Sequence, residues 1–480
     1  MDRPNTSSEG GLFELVARGE KDKYFMSSTP DAVVPFSYNM DTWPACLEET
    51  RQTQPLNMVD FGRTVEWEMD SFGDILVAAS FTIELPTWLP IAVAPLNRKT
   101  VIADASGTRY GYTMGIGAFL FEQIQFFQDQ VLLQEFSGDF LYMWTHLQGT
   151  LNQETLALKE FGSHTGSALD IQRNATPGKL KLRLPLIGCS HPDDGGLPFI
   201  ALPGQKYRIR AKIRRLEDLV ESSAGDIKPT PWSRADLTST DSQGNIISIQ
   251  PLTREGIGKP LITLETTQKY VRQDIQELLK KTPNQIPFLR PFENALSLDK
   301  ADYSGVEKGE ASFITKRIDG RHPAEGILLS FQSDYYAEKN QLWNLVNPLP
   351  NTVNVATASR ALDYYNNIKL LVAGKERESS WSSDIWNGLS PYTKCEKSPG
   401  IGISWISFTY GPGFGYRAPE RRKPSGTLNF STADRPTLWM DIKDTLPNSK
   451  GQKRVKLRAT TIGWGLYRVE GQRGSLFFGN

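Results

Sequence analysis

The residues best placed by type and spacing to do chemistry are Ser190-His191-Pro192-Asp193-Asp194-Gly195-Gly196. Two carboxylates beside an imidazole could hold a cation or exchange protons. Pro, Asp and Gly also build solvated turns between strands, and the turn is the preferred reading. Elsewhere such signals are sparse. The four histidines (His146, His164, His191, His322) form no i, i+4 pair, and the three cysteines (Cys46, Cys189, Cys395) stand far apart, so zinc spacing is absent. Gly411-Pro412-Gly413-Phe414-Gly415 lacks the strand–helix context of a dinucleotide loop and reads as a turn. Gly162-Ser163-His164-Thr165-Gly166 carries His where a nucleophile elbow carries Ser. No catalytic, cofactor-binding or metal-binding residue is assigned, and no cofactor is expected.

One row of charge stands out. Lys206, Arg208, Arg210, Lys212 and Arg214 alternate with apolar residues, which places five cations on one strand face. Such a row could track a phosphate backbone. No aromatics interleave on that face and Glu217, Asp218 and Glu221 follow, so a solvated face or an inter-subunit contact is the preferred reading. Three glycosylation sequons begin at Asn5, Asn174 and Asn429, and without a signal peptide they are expected to stay unused.

The elements that would carry these residues are mostly strands. Residues 64–70 alternate strictly, with Val65, Trp67 and Met69 on one face, and residues 206–214 and 454–459 do the same. Each reads as a strand with one face on a core and one in water. Residues 75–83 are more continuously apolar, as suits the inside of a sandwich. Turn residues punctuate the chain at short intervals, which points to an all-β sandwich or barrel. Residues 119–136 are read as strands, and Gly138–Leu147 as a second, weaker helix. The clearest helix is capped by Thr266 or Thr267, carries Tyr270/Val271, Ile275 and Leu278/Leu279 at helical spacing, and ends at Lys280-Lys281. Residues 217–258, rich in Ser, Thr, Asp, Gly and Pro, read as an exposed insertion.

Composition narrows the function. The 480 residues hold 54 Lys+Arg against 54 Asp+Glu, so there is no cationic surplus for a nucleic-acid surface. No apolar run reaches the length of a membrane-spanning helix. The opening residues have no signal-peptide pattern, and an odd cysteine count argues against a disulfide framework, so the default compartment is cytosolic.

Several blocks, in order, resemble the major capsid proteins of nucleocytoplasmic large double-stranded DNA viruses. The first is Gly10-Gly11-Leu12-Phe13-Glu14-Leu15-Val16-Ala17-Arg18-Gly19, continuing to Asp22. Asp60-Phe61-Gly62-Arg63 and Gly73-Asp74-Ile75-Leu76 follow, then Leu184-Pro185-Leu186 and Gly196-Leu197-Pro198-Phe199-Ile200-Ala201-Leu202. The helix after Leu261-Ile262-Thr263-Leu264 sits where that family has its inter-barrel helix. Arg321-His322-Pro323-Ala324-Glu325-Gly326-Ile327 and Pro424-Ser425-Gly426-Thr427-Leu428-Asn429-Phe430-Ser431 continue the series. The chain departs from the family pattern in its long insertion, in the segment Ser190–Asp194, and in the extra Trp343, Trp381 and Trp386.

The resemblance implies an all-β chain of two tandem eight-stranded antiparallel jelly-roll sandwiches with a short inter-domain helix and long surface loops. Expected boundaries are 1–266 for the first, 267–283 for the linker helix and 284–480 for the second. It implies a structural virion protein, not an enzyme, that forms a pseudo-hexagonal homotrimer tiling an icosahedral shell. The implied partners are itself, neighbouring capsomers, minor capsid, cement and penton proteins and an underlying internal membrane, with no direct nucleic acid. The implied location is the virion shell, and the host cytoplasm during assembly. Rival readings are a paralogous minor capsid or scaffold protein of the same fold, and a carbohydrate-binding sandwich using exposed Trp and paired acids.

Overall fold

A computed structural model of the chain describes residues 46–88, 101–103, 106–147, 160, 162, 178–189, 195–235, 237–240, 246–248, 253–307, 312–348, 363–395, 402–409, 426–433 and 436–477. Eight main strands precede residue 272. They are β1 (Cys46–Thr53), β2 (Thr64–Met69), β3 (Ile75–Glu84), β4 (Phe121–Gln128), β5 (Val131–Phe136), β6 (Lys179–Arg183), β7 (Tyr207–Ile213) and β8 (Leu261–Val271). They pair antiparallel in two four-stranded sheets, ordered β1-β8-β3-β6 and β2-β7-β4-β5. Strands distant in sequence lie side by side (β1 with β8, β2 with β7, β3 with β6) and only β4 and β5 pair as sequence neighbours, which is the jelly-roll form of the Greek key.

The pattern repeats after residue 283. The second set is β9 (Asn284–Leu298), β10 (Ser312–Arg317), β11 (Pro323–Ser333), β12 (Tyr365–Val372), β13 (Lys375–Ser382), β14 (Ile403–Ser407), β15 (Thr437–Ile442) and β16 (Val455–Glu470). Their sheets run β9-β16-β11-β14 and β10-β15-β12-β13, the same order as in the first half. The fold is therefore two tandem eight-stranded jelly rolls, as the resemblance implied.

Local pattern explains the faces. In β2, Val65, Trp67 and Met69 are buried while Glu66 and Glu68 point outward; in β7, Tyr207, Ile209, Ala211 and Ile213 are buried. Helix α1 (Gly138–Leu147) follows β5 and is buried along most of its length, as expected of a helix apolar on nearly every side.

Three expectations need correction. Thr266 and Thr267 cap no helix: β8 runs on to Val271, and α2 occupies only Gln273–Lys281 behind Arg272. The cause is pairing on both flanks, with β1 and β3 each hydrogen-bonded to β8, which overrides the helical spacing of a few residues. Residues 217–258 are not exposed throughout. Leu219, Val220, Glu221, Ser222 and Leu237 are buried, and Val220–Ser222 pairs with Tyr110–Tyr112. Turn-rich composition there reflects the bends, while its few apolar residues reach the core. Finally, Arg458 of the alternating 454–459 run is buried, not solvated, because the second barrel meets the first at that point.

Candidate functional site

The basic row on β7 is answered by carboxylates at nearly every step. Register places Arg208 opposite Glu68 and Arg210 opposite Glu66, so strand alternation puts both signs on one face. Lys206 lies 3.1 Å from Glu68, Arg210 2.6 Å from Glu66 and Lys212 2.8 Å from Glu122. These pairs are largely exposed, and each contributes at most about 1 kcal/mol. Their effect on function is larger, since a neutralised face has little to offer a phosphate backbone.

Arg214, at the inner end of the row, turns from that face to the place where the barrels meet. Its Nη2 donates to Asp139 Oδ2 at 2.6 Å, and Arg458 Nη2 from β16 approaches the same oxygen at 2.8 Å. Arg458 Nε also lies 3.2 Å from Glu293 of β9. Glu293 in turn accepts the Ser137 hydroxyl at 2.6 Å, and Ser137 Oγ caps α1 by accepting the Phe140 N–H at 3.0 Å. Two acids and two guanidiniums thus link the barrels through one largely buried cluster, with the field of Lys456 from β16 added to it. Burial pushes the Asp139 carboxyl up, but the fields of Arg458 and Arg214 outweigh it and hold the group below the usual carboxylate range.

Position here depends on one backbone contact. A Cβ on Gly138 would fall 2.1 Å from the Ala118 carbonyl oxygen, so a residue without a side chain is required where α1 leaves β5.

Three further polar links cross the junction. Gln134 Nε2 donates to the Leu289 carbonyl at 2.8 Å and to that of Pro185 at 3.2 Å. The hydroxyls of Tyr207 and Tyr467 lie 3.1 Å apart, and Tyr467 donates to Gln128 Oε1 at 2.7 Å. Asn340 Nδ2 donates to the carbonyls of Glu217 and Val220 at 2.8 and 2.6 Å, while Trp343 Nε1 donates to Glu221 Oε2 at 3.1 Å. Glu221 is fully buried; desolvation pushes its carboxyl up to about 8, against the hydrogen bonds from Trp343 and the Met114 backbone.

Apolar packing runs through the same junction. Phe288, Leu289, Ile403, Trp405 and Val469 of the second half share one continuous core with Trp67, Phe81 and Phe126 of the first. The second barrel has its own interior around Phe331, Tyr364, Tyr365 and Met440. A continuous close-packed core of this kind resists shear between the two barrels.

The two late sequence motifs meet at the edge of this junction. The His322 N–H donates to Ser431 Oγ at 3.0 Å, the Phe430 N–H donates to the His322 carbonyl at 3.1 Å, and Pro323 pairs with Asn429. His322 takes φ +64°, a conformation that these contacts hold in place. Asn429 is exposed, with its side-chain oxygen accepting the Ser431 N–H at 3.0 Å.

Other sequence candidates scatter. His191, Asp193, Asp194, the 411–415 turn, Asn5, Asn174 and residues 10–25 lie outside the described residues, as does most of the 162–166 segment. Cys46 is exposed and Cys189 buried. Trp386 is buried, with Nε1 donating to the Ile368 carbonyl at 3.1 Å, whereas Trp381 is 46% exposed, so the extra tryptophans do not share one open face. Among the described residues no group of three or more His, Cys, Asp or Glu is placed to hold a metal. Sequence reasoning missed Asp139, Glu293, Arg458, Gln134 and Tyr467. For Arg458 the available signal was a cation inside a run whose neighbours are apolar or threonine.

No protein-family model matches the chain. It is 21% identical to the major capsid protein of Phaeocystis pouchetii virus, over 98% of this chain and all of that one. It is 20% identical to the probable capsid protein 4 of Acanthamoeba polyphaga mimivirus, over 98% and 99% of the two chains. Among solved structures it is similar to a subunit of the PBCV-1 virus capsid (TM-score 0.66, 13% identity, 93% of this chain and 100% of that one). The Faustovirus major capsid protein is also similar (TM-score 0.60, 12% identity, 90% and 92%). Fold and whole-length likeness together give the chain the double jelly-roll fold of these capsid proteins. The resemblance to the major capsid proteins of large DNA viruses is borne out along the length of the chain.

Proposed function

We propose that three copies of this chain close into a pseudo-hexagonal capsomer that tiles an icosahedral shell. The observation that carries this reading is the junction. Two similar barrels fixed rigidly side by side present six similar units when three chains close around a threefold axis. A tile must transmit lattice forces without hinging, and a continuous core with a buried charge cluster suits that demand. The domain division follows, with the first boundary moved from the expected 266 to the end of β8: a first jelly roll to about residue 271, a linker over 272–283 that carries α2, and a second jelly roll over 284–480. Neighbouring capsomers, minor capsid, cement and penton proteins and an underlying membrane are the partners of such a tile. The paired charges on β7 agree with an absence of direct nucleic-acid contact. Electron microscopy of the isolated protein tests the reading: hexagonal outlines with threefold symmetry are expected, and isolated two-lobed particles at all concentrations would refute it.

A second reading, a paralogous minor capsid or scaffold protein of the same fold, draws on the whole-length likeness to the mimivirus protein numbered as a fourth capsid protein. It makes the same capsomer and differs in copy number per virion.

A further inference from the structure

Two acids are buried where the barrels meet, and their surroundings differ. Asp139 has a guanidinium on each side, Arg214 at 2.6 Å and Arg458 at 2.8 Å. Glu221, in the short strand Val220–Ser222, is 0% exposed and pairs with no cation. Its Oε2 accepts the Trp343 Nε1–H from the second barrel at 3.1 Å, while its Oε1 has no hydrogen-bond partner.

The charged and titratable groups of the surrounding elements are turned to other partners. Glu217 pairs with Arg254 at 3.2 Å and Asp218 with Lys228 at 2.8 Å. From the second barrel, Glu338 accepts the Ser449 hydroxyl at 2.6 Å, and Lys339 Nζ lies 3.5 Å from the Tyr335 ring centroid. The Tyr112 hydroxyl donates to the Pro86 carbonyl, and Asp226 is exposed. Arg234 lies over the Tyr110 ring, and neither it nor Arg109 on the paired strand acts on the Glu221 carboxyl. A buried carboxyl without a counter-charge is held neutral, because the ion would be too costly to keep there.

An acid at this position has a specific consequence. The neighbouring cross-barrel links are made by amides, from Gln134 to the Leu289 carbonyl and from Asn340 to the carbonyls of Glu217 and Val220. A glutamine at 221 would accept from Trp343 equally well and would never ionise. What the acid adds is a proton that can be lost. Its neighbours form a local clasp outside the main sheets. Asn340, at φ +60°, and Trp343 lie in the irregular run after β11 and the helical turn Asp334–Ala337, where the Lys228 N–H also donates to the Glu338 carbonyl at 3.1 Å.

We propose that Glu221 is a proton-operated latch between the barrels. Neutral, it keeps residues 338–343 of the second barrel seated on 217–222 of the first. Ionised, it draws water to Oε1 and releases that clasp while the main sheets stay folded. The shared core and the Asp139 cluster hold the barrels together meanwhile, so one side of the junction loosens without separation. The latch stands on these residues, independently of how the chains assemble.

Hydrogen exchange of the full chain tests it, read by mass spectrometry from about pH 5.5 to 9.5 and corrected for intrinsic exchange rates. The closed form holds the proton up to about 8 and the open form only to 4.5, so the opening constant rises roughly tenfold per pH unit between them and levels off above. Amides of 219–223 and 338–344 are expected to follow that curve. They are also expected to exchange at least about a hundredfold faster than those of β3 and β16 throughout, which marks a local opening. Glu221→Gln is expected to flatten the curve. If that variant does not fold, Trp343→Phe carries the test: it removes a donor that favours the charged form and should move the levelling-off to higher pH. Absence of the slope, a slope unchanged in folded Glu221→Gln, an unmoved levelling-off in Trp343→Phe, or clasp amides as slow as those of β3 and β16 would overturn the proposal.

Discussion

Arg458 and Asp139, 319 positions apart in the chain, meet at 2.8 Å across the two barrels, with side chains only 6% and 5% exposed. Arg214 shares the same carboxylate oxygen from the first barrel at 2.6 Å. Removing one member of such a cluster strands buried charge. Arg458→Met is expected to cost about 3 kcal/mol of stability, because the buried Asp139 loses one of its two guanidiniums where water cannot replace it. Chemical denaturation of the single and double variants with Asp139→Asn should give a coupling of about 1–3 kcal/mol. Additive effects would mean that the two residues do not act together.

Glu221 sets a pH dependence. Its folded-state value is raised from 4.5 to about 8, so the fold holds a proton that the unfolded chain releases above pH 4.5. Below that pH both states are protonated and the group contributes no slope. Between about 4.5 and 8 its contribution to stability falls as pH rises, by up to about 1.4 kcal/mol per pH unit. Asp139 has the opposite sign: its value is depressed, so its contribution is present above the unfolded value and is lost as pH falls through the folded one. Glu221→Gln should remove the decline between pH 5 and 8, as read from denaturation midpoints across that range.

Gly138 and Gly388 make a matched pair. A Cβ at Gly138 would lie 2.1 Å from one carbonyl oxygen and 2.4 Å from another, whereas one at Gly388 would meet nothing within 4 Å. Gly138→Ala is expected to destabilise by about 3 kcal/mol or more, and Gly388→Ala to stay within about 1 kcal/mol of the parent. Thermal melts of the two proteins would show the contrast.

The β7 row gives a prediction about partners. Arg210→Ala should cost at most about 1 kcal/mol, because its pairing with Glu66 is exposed. The parent protein should bind double-stranded DNA only weakly at physiological salt, with a shallow salt dependence, as read by fluorescence anisotropy. A steep loss of tight binding with added salt would contradict the paired-face account.

Much of the fold was legible because alternation is a local signal. Val65, Trp67 and Met69 reveal their shared face within seven residues, and Tyr207 to Ile213 do the same. At Thr266–Val271 that locality misled: helical spacing was present, but Thr267 stands opposite Thr50, their hydroxyls 2.9 Å apart, and a partner 217 residues away decided the outcome. The junction was the least legible part. Nothing near Arg458 names Asp139 as its partner, and Gln134, an ordinary polar residue in β5, becomes a cross-barrel donor only once Leu289 is brought to it.

The central claim is that the rigid two-barrel chain is one third of a capsomer, and light scattering coupled to size exclusion tests it most directly. Three chains of 53.8 kDa predict a single species of about 161 kDa that persists on dilution. A stable species of 53.8 kDa under all conditions would contradict the account.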